Sequence, residues 1–259
     1  MLRKLSDLEN FHVQGRDGDL GKVSDFYFDQ QRLVLRYLVI DTGHWLKHEL
    51  TLISTEDFEE IHYKDQIIEV DMTKEELESG PSLDKNKPIS KIMEEKVIHH
   101  YDWPLYWSSA NLSGSEAAPN NPPQRDKLFG YDDMSDEEKK AEEDEVDSNL
   151  RSFNEIKGYH IHATDKEFGH LEDLFVDEEG WIIRYLLINT RNLLPGKDVL
   201  IAPEWIDYIS WDKEDIFVNK TKKEIKEAPE YREGATENLV HREYEEDLHD
   251  HYDEDRYWR

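Results

Sequence analysis

Short apolar runs separated by Asp- and Gly-rich turns recur along this chain. The runs are rich in Val, Ile, Leu and Tyr, as in LVLRYLVI at 33–40 and WIIRYLLI at 181–188. Runs of this length and composition, bounded by turn residues, are typical of β-strands joined in a meander. The predicted strands are 11–13, 21–28, 33–40, 51–54 and 66–70, and then 159–161, 169–176, 181–188, 199–202 and 215–219.

The two sets of strands lie in two copies of one sequence. Residues 3–81 align with residues 151–229 at a constant offset of 148 without a gap, and 22 of the 79 pairs are identical. A repeat of this length corresponds to a domain. Five short strands are too few to bury two sheets, so each copy predicts a small closed or nearly closed β-barrel in a mainly β protein. We expect glycines that begin a strand, Gly21 and Gly169, at bulges or corners, and Gly180 in a turn that needs positive φ.

A helical extension is predicted after each barrel. Segments 73–81 and 221–229 both begin with a threonine able to cap a helix, have a glutamate three residues later, and end in proline. A second shared segment, 89–107 against 240–258, predicts an amphipathic helix followed by a Tyr-Trp pair that covers the barrel. The predicted organisation is barrel 1 at 1–80, helical extension 1 at 81–107, a linker at 108–148, barrel 2 at 149–229 and helical extension 2 at 230–259.

The composition restricts the class of protein. The linker is first rich in Pro, Ser and Asn and then acidic, which predicts a flexible segment. The formal net charge of −29 disfavours binding to nucleic acid and to anionic membranes. No apolar stretch is long enough to span a membrane, and the absence of cysteine fits a soluble, cytoplasmic protein.

Three ordered segments of the first copy carry a family resemblance. GRDGDLGKVSDFYFD at 15–29, RYLVIDTG at 36–43 and EVDMTKEELESGP at 69–81 resemble the PRC-barrel domain. The second copy repeats the resemblance at 163–177, 184–190, 198–206 and 217–229, so the chain resembles tandem PRC-barrel proteins. The resemblance implies the small all-β barrel of the photosynthetic reaction centre H subunit and of the ribosome maturation factor RimM. In both settings that barrel mainly docks on other macromolecules.

No motif for catalysis or cofactor binding is present, so the sequence predicts a non-enzymatic protein without a catalytic residue or a cofactor. The pairs Asp25 with Arg36 and Asp173 with Arg184 occur in both copies, which favours a structural ion pair that joins two strands over catalysis. Four histidines are weak metal-ligand candidates because of their spacing, although ordinary surface histidines explain them more simply. They are His160, His162, His249 and His251.

Aromatic residues are the main candidates for partner binding. These candidates are Trp45, Trp103, Trp107, Trp181 and Trp205. The leading hypothesis is a scaffold or adaptor of two barrels packed as a pseudo-dimer, which binds a protein partner of unknown identity and leaves a homodimer open. The alternative is an accessory protein of a redox or photosynthetic-type electron-transfer complex, whose acidic and histidine-rich surface handles protons or ions. That alternative requires either association with a membrane complex or a pocket between the barrels lined by titratable groups.

Overall fold

A computed structural model describes residues 1–46, 51–83, 89–107, 149–190, 197–232 and 240–258, and the predicted linker at 108–148 lies outside the described residues. We call residues 1–107 the first half and residues 149–258 the second half. The fold is mainly β, as predicted, with short helices. None of the described helices combines the length and the apolar character needed to cross a membrane.

The described strands fall into two sets of seven. Those of the first half are β1 (Leu2–Lys4), β2 (His12–Gly15), β3 (Gly18–Asp29), β4 (Val34–Asp41), β5 (Thr51–Ser54), β6 (Phe58–His62) and β7 (Ile67–Val70). Those of the second half are β8 (Leu150–Ser152), β9 (His160–His162), β10 (Glu167–Asp177), β11 (Ile182–Asn189), β12 (Asp198–Ile201), β13 (Ile206–Ser210) and β14 (Asp215–Val218). The helices are α1 (Lys74–Ser79), α2 (Lys91–Tyr101), α3 (Phe153–Ile156), α4 (Lys222–Glu227) and α5 (Arg242–Tyr252).

Both halves arrange their strands in the same order. The first half has the order β6-β7-β2-β3-β4-β5, and the second has β13-β14-β9-β10-β11-β12. Neighbouring strands are antiparallel, except that β7 is parallel to β2 and β14 is parallel to β9. The repeat seen in the sequence is therefore a repeat of topology as well.

The halves are joined into one sheet. Within the described residues the strands form a single 14-stranded sheet, connected at the paired residues Val34 and Ile182, and no closed barrel is found. The buried apolar side chains of both halves likewise belong to one core cluster. The expectation of two barrels with separate cores is replaced by two copies that share a core.

The two halves exchange their first strands, so that each of these strands pairs with a strand of the other half. Strand β1 pairs with β10, with Leu2 opposite Asp177, and β8 pairs with β3, with Ser152 opposite Tyr27. The short helix that follows each of these strands also packs on the other half: the 3₁₀ helix Leu5–Leu8 contacts β10, and α3 contacts β3. The sequence did not predict β1 or β8, because a strand of three residues has too little alternation to be recognised.

Close approach of the backbone explains the glycines that begin the long strands. A Cβ at Gly21 would lie 2.3 Å from the carbonyl oxygen of Asp41, and one at Gly169 would lie 2.4 Å from that of Asn189. The register shifts by one residue beside both glycines, as expected for β-bulges. The prediction of a bulge at these positions is confirmed.

The turn between the two longest strands of each half differs from expectation. Gly180 does not adopt positive φ; instead the next residue, Trp181, has φ of 55°. Leu33 occupies the equivalent position of the first half and has φ of 53°. The left-handed conformation therefore belongs to a large apolar residue in both halves.

The two predicted helix caps are present. The side chains of Thr73 and Thr221 accept hydrogen bonds from the backbone of Glu76 and Glu224, and each glutamate binds back to its threonine. These capping boxes satisfy amide groups that α1 and α4 would otherwise leave free. Both helices end before the proline that the sequence marked as a stop.

Candidate functional site

The helical extension of the first half is held by a buried glutamate. Glu94 of α2 is 2% exposed, and its Oε1 accepts hydrogen bonds of 2.9 Å from the hydroxyls of both Tyr37 and Tyr106. The guanidinium of Arg36 lies 3.9 Å from the centre of the Tyr106 ring. Two neighbouring residues of β4 thus bind the extension. Arg36 contacts the ring of Tyr106, and Tyr37 donates to the carboxylate of Glu94.

The second half repeats this arrangement with an additional histidine. The hydroxyls of Tyr185 and Tyr257 donate to Glu245 Oε1 at 3.1 and 2.6 Å, and Arg184 lies 4.2 Å from the centre of the Tyr257 ring. His249, which is 3% exposed, replaces an apolar residue of the first half and lies 2.9 Å from the Tyr185 hydroxyl. The shared Arg-Tyr-Leu motif is therefore a docking element for the helical extension.

Burial raises the pKa of two carboxyl groups in the first half. The pKa of Glu94 is raised to about 7, mainly by desolvation and against the two tyrosine hydrogen bonds. The pKa of Asp57 is raised to about 6, again mainly by desolvation, although its carboxylate accepts a 2.8 Å hydrogen bond from Trp103 Nε1. In the second half these two positions carry Trp205 and Glu254, so the aromatic and acidic partners have exchanged places.

The shared aspartates connect the halves to each other. Asp25 accepts hydrogen bonds from the hydroxyl of Ser152 and the backbone amide of Asn154, both in the second half. Asp173 accepts the equivalent bonds from the hydroxyl and amide of Ser6 in the first half. Burial raises the pKa of both carboxyl groups, and these hydrogen bonds oppose the shift.

The predicted pairing of each aspartate with the arginine of its own copy is wrong. Arg36 lies 3.7 Å from Asp29, and Arg184 lies 3.6 Å from Asp177. The pairs fail because Asp25 and Asp173 face the exchanged segment of the other half, whereas the arginines face the helical extension.

Removal of one inter-half aspartate tests this assignment. We expect Asp25→Ala to lower the free energy of unfolding by about 1–3 kcal/mol, because Ser152 and Asn154 lose their acceptor. Asp65→Ala, at an exposed turn position, is the control and should stay within about 0.5 kcal/mol of the parent. Urea unfolding measures both, and equal effects of the two substitutions would contradict the assignment.

The four histidines proposed as metal ligands have separate partners. His160 faces Glu167 at 3.3 Å on the surface, and His162 lies 2.8 Å from Asp215. His249 is buried against Tyr185, whereas His251 contacts the backbone carbonyl of Glu224. Within the described residues a different group, formed by Glu60, His62 and Glu69, brings three potential ligand atoms close together. The sequence analysis missed that group because its members lie on two strands.

Two of the five candidate tryptophans are buried and three are half-buried. Trp103 is 9% exposed, packs against Tyr37 of β4 and stacks on Tyr101. Trp205 is 2% exposed. The others are half-buried: Trp45 donates to a backbone carbonyl, Trp107 packs on the neighbouring tyrosine, and Trp181 packs on β6.

An open groove lies where the β3–β4 turn of the first half meets β13 of the second. It has a volume of about 410 Å³ and is lined by Leu33, Pro203, Ile206, Tyr208, Ile209 and Trp211, with Gln30 and Gln31 at one side. Tyr208 is 56% exposed, and Met1 is the other strongly exposed large apolar residue among those described. We call this feature the Tyr208 groove. Neither Trp211 nor Tyr208 is among the partner-binding residues predicted from the sequence.

Comparison with known protein families finds a match within the first half. The PRC-barrel domain model matches residues 2–77, which extend from β1 into α1. Residues 2–77 form a PRC-barrel domain. No curated protein matches the chain.

The PRC-barrel domain contributes one wall of the Tyr208 groove, through the turn that carries Leu33. A small apolar cavity lies behind this wall, between the domain and the second half, where Phe28 and Leu33 face Leu174 and Ile216. Among the described residues that line this cavity, Tyr159 is the one titratable group, and the others are apolar or aromatic.

Proposed function

We propose that this chain is a non-enzymatic scaffold that binds a protein partner at the Tyr208 groove. The observation that carries the proposal is the exposure of Tyr208 beside an open groove of about 410 Å³ that has both polar and apolar lining. Exposed apolar patches rimmed by polar residues mark interaction sites, and tyrosine and tryptophan are enriched where partners bind most tightly.

The use of the buried polar groups supports a non-enzymatic role. Asp25 and Asp173 bind the exchanged segments, while Glu94 and Glu245 bind tyrosines of the helical extensions. A catalytic carboxylate needs access to a substrate, whereas these groups serve packing contacts. The lack of cysteine supports a cytoplasmic location for the scaffold.

The joining of the halves supports a scaffold as well. The exchanged strands and the shared core fix the PRC-barrel domain against the second half. A surface that includes both halves, such as the Tyr208 groove, is therefore preformed and needs little ordering when a partner binds.

Site-specific photo-crosslinking tests the proposal. A photo-reactive phenylalanine replaces Tyr208 in one variant and Glu60, the equivalent residue of the first half, in the other, both produced at native level in the source cell. We expect a discrete protein adduct from position 208 and little or none from position 60, because the two positions differ in their surroundings. Identical adduct patterns, or none at 208, would contradict the proposal.

A further inference from the structure

The first half contains a position equivalent to the Tyr208 groove, and a different side chain occupies it. At the repeat offset, Leu33 corresponds to Trp181, Ile206 to Phe58 and Trp211 to Tyr63. In the first half the ring of Trp181 packs edge-on against Phe58, with 5.1 Å between the ring centres. An indole supplied by the other half thus occupies this position in one copy of the fold.

The polar contacts around the two positions also correspond. Arg3 lies 3.4 Å from the centre of the Tyr63 ring and 2.9 Å from Glu178. In the second half Arg151 lies 4.5 Å from the centre of the Trp211 ring and 3.0 Å from Gln30. The contact between an arginine and an aromatic ring therefore recurs in both halves, whereas the side chain that enters the site differs.

Leu33 is smaller than the indole of Trp181, and the groove remains open at this position. Its outer edge is Tyr208, which stacks on Phe217 with ring centres 4.3 Å apart and an interplanar angle of 12°. The ring of Tyr208 therefore has a fixed orientation and an exposed surface. An aromatic ring that enters the groove can pack against Tyr208 and Trp211, as Trp181 packs against Phe58.

The segment 203–214, which supplies most of the groove lining, has four exposed acidic residues and one exposed lysine. They are Glu204, Asp207, Asp212 and Glu214, with Lys213. One cation lies closer, because Arg151 contacts the Trp211 ring and Gln30. The whole chain carries a formal net charge of −29, so a basic partner is attracted and an acidic one is repelled.

We propose that the Tyr208 groove binds an aromatic side chain of the protein partner, flanked by basic residues, in the position that Trp181 occupies in the first half. This inference rests on the proposed scaffold function and specifies the chemistry of the partner. The packing of Trp181 on Phe58 is the model for the aromatic group, and the net negative charge of the chain and of segment 203–214 is the reason for the preference for basic neighbours.

The equivalent residue of the other half suggests a substitution that should block the groove. Leu33→Trp introduces the residue found at the equivalent position, and the backbone is compatible because Leu33 and Trp181 have φ of 53° and 55°. Leu33→Met, which conserves volume, is the matched control. Tyr208→Ala is a second variant that removes the aromatic edge without a change in the turn.

The probe is the pentapeptide KKWKK with blocked ends, titrated by calorimetry and by amide NMR of residues 206–211. We expect saturable binding to the parent and to Leu33→Met, and affinity lower by about tenfold or more for Leu33→Trp and Tyr208→Ala. KKAKK and EEWEE should bind at least about tenfold more weakly than KKWKK. Far-ultraviolet circular dichroism establishes that each variant is folded.

Three results would overturn the inference. KKWKK could bind Leu33→Trp as tightly as the parent, or KKAKK could bind as tightly as KKWKK, which would indicate charge attraction alone. Sedimentation could also reveal a dimer of the parent that Leu33→Trp abolishes, which would assign the groove to a second copy of the chain.

The crosslinking experiment separates this inference from the proposed function. An adduct at position 208 that an excess of KKWKK does not reduce would retain the scaffold and overturn the aromatic, basic recognition. Saturable, Leu33→Trp-sensitive binding of KKWKK without any adduct would support the recognition chemistry and contradict the scaffold role.

Discussion

Replacement of Phe153 with alanine is expected to lower the free energy of unfolding by about 3–5 kcal/mol, the usual cost of removing a buried phenylalanine. Phe153 begins α3 of the second half, is fully buried, and packs edge-on against Phe26 of the PRC-barrel domain with 6.0 Å between the ring centres. The cavity left by the substitution therefore lies between the halves. We expect the signals of both halves to unfold together at a lower urea concentration.

Phe153→Leu is the matched control, because it keeps most of the apolar volume. Its cost should stay below about 1.5 kcal/mol. Tryptophan fluorescence and amide hydrogen exchange follow the two halves separately during urea unfolding. Loss of the second half alone in Phe153→Ala, with the PRC-barrel domain unchanged, would contradict the shared core.

Glu94→Gln is expected to make the chain less sensitive to alkaline pH. The folded-state pKa of Glu94 is about 7 against a reference value of 4.5, so the folded state retains a proton that the unfolded state releases. Stability from this group is fully present below about pH 4.5 and is lost as the pH rises through 7. The shift corresponds to about 3 kcal/mol, and glutamine can still accept from both tyrosine hydroxyls.

The measurement is the free energy of unfolding of the parent and of Glu94→Gln at pH 5 and pH 8. We expect the difference between the two proteins to shift by about 3 kcal/mol in favour of Glu94→Gln at pH 8. Asp57, whose raised pKa acts in the same direction, is present in both proteins and cancels. A difference that does not change between pH 5 and pH 8 would show that burial of Glu94 is not coupled to its protonation.

The equivalent substitution of the second half is a control. Glu245 forms an ion pair with Arg242, with 3.0 Å between Oε2 and the guanidinium nitrogen. Glu245→Gln removes this charge pair and should destabilise the protein at pH 8, opposite in sign to Glu94→Gln. The same buried position thus gives opposite responses, because Glu245 forms an ion pair with Arg242 whereas burial raises the pKa of Glu94.

Local pattern was sufficient to predict much of the fold. The long strands β3, β4, β10 and β11 were recognised because their apolar runs lie between turn residues. The two capping boxes were recognised because threonine and glutamate occur at fixed spacing. Strand β6, with the sequence FEEIH, was missed because an edge strand with exposed polar residues lacks an apolar run.

The joining of the halves could not be predicted from either copy alone. The partner of β1 depends on shape and burial across the whole chain, and three residues contain no signal for it. Identity between the copies predicts residues that each barrel requires for its own fold. Asp25 and Asp173 are instead shared because each copy binds the other. Ser6 aligns with Asn154 and not with Ser152, which lies two residues earlier, so the alignment contains no signal for this contact.

The candidate site was only partly visible in the sequence. Arg36, Tyr37 and Tyr106 all have identical counterparts in the second half, which could have indicated that motif and extension are in contact. The groove depends on a difference between Leu33 and Trp181 that becomes meaningful only when their surroundings are known to correspond. The role of Tyr208 could not be predicted from the repeat, because its counterpart, Glu60, is an ordinary surface residue.

The exchange of first strands also sets an order of events during synthesis. Residues 2–4 leave the ribosome long before residues 175–177, with which they pair. In the PRC-barrel domain the edge of β3 likewise stays uncovered until Leu150–Ser152 has been synthesised. A nascent chain that has completed only its first domain therefore exposes an unpaired edge, and contacts this distant in sequence form slowly.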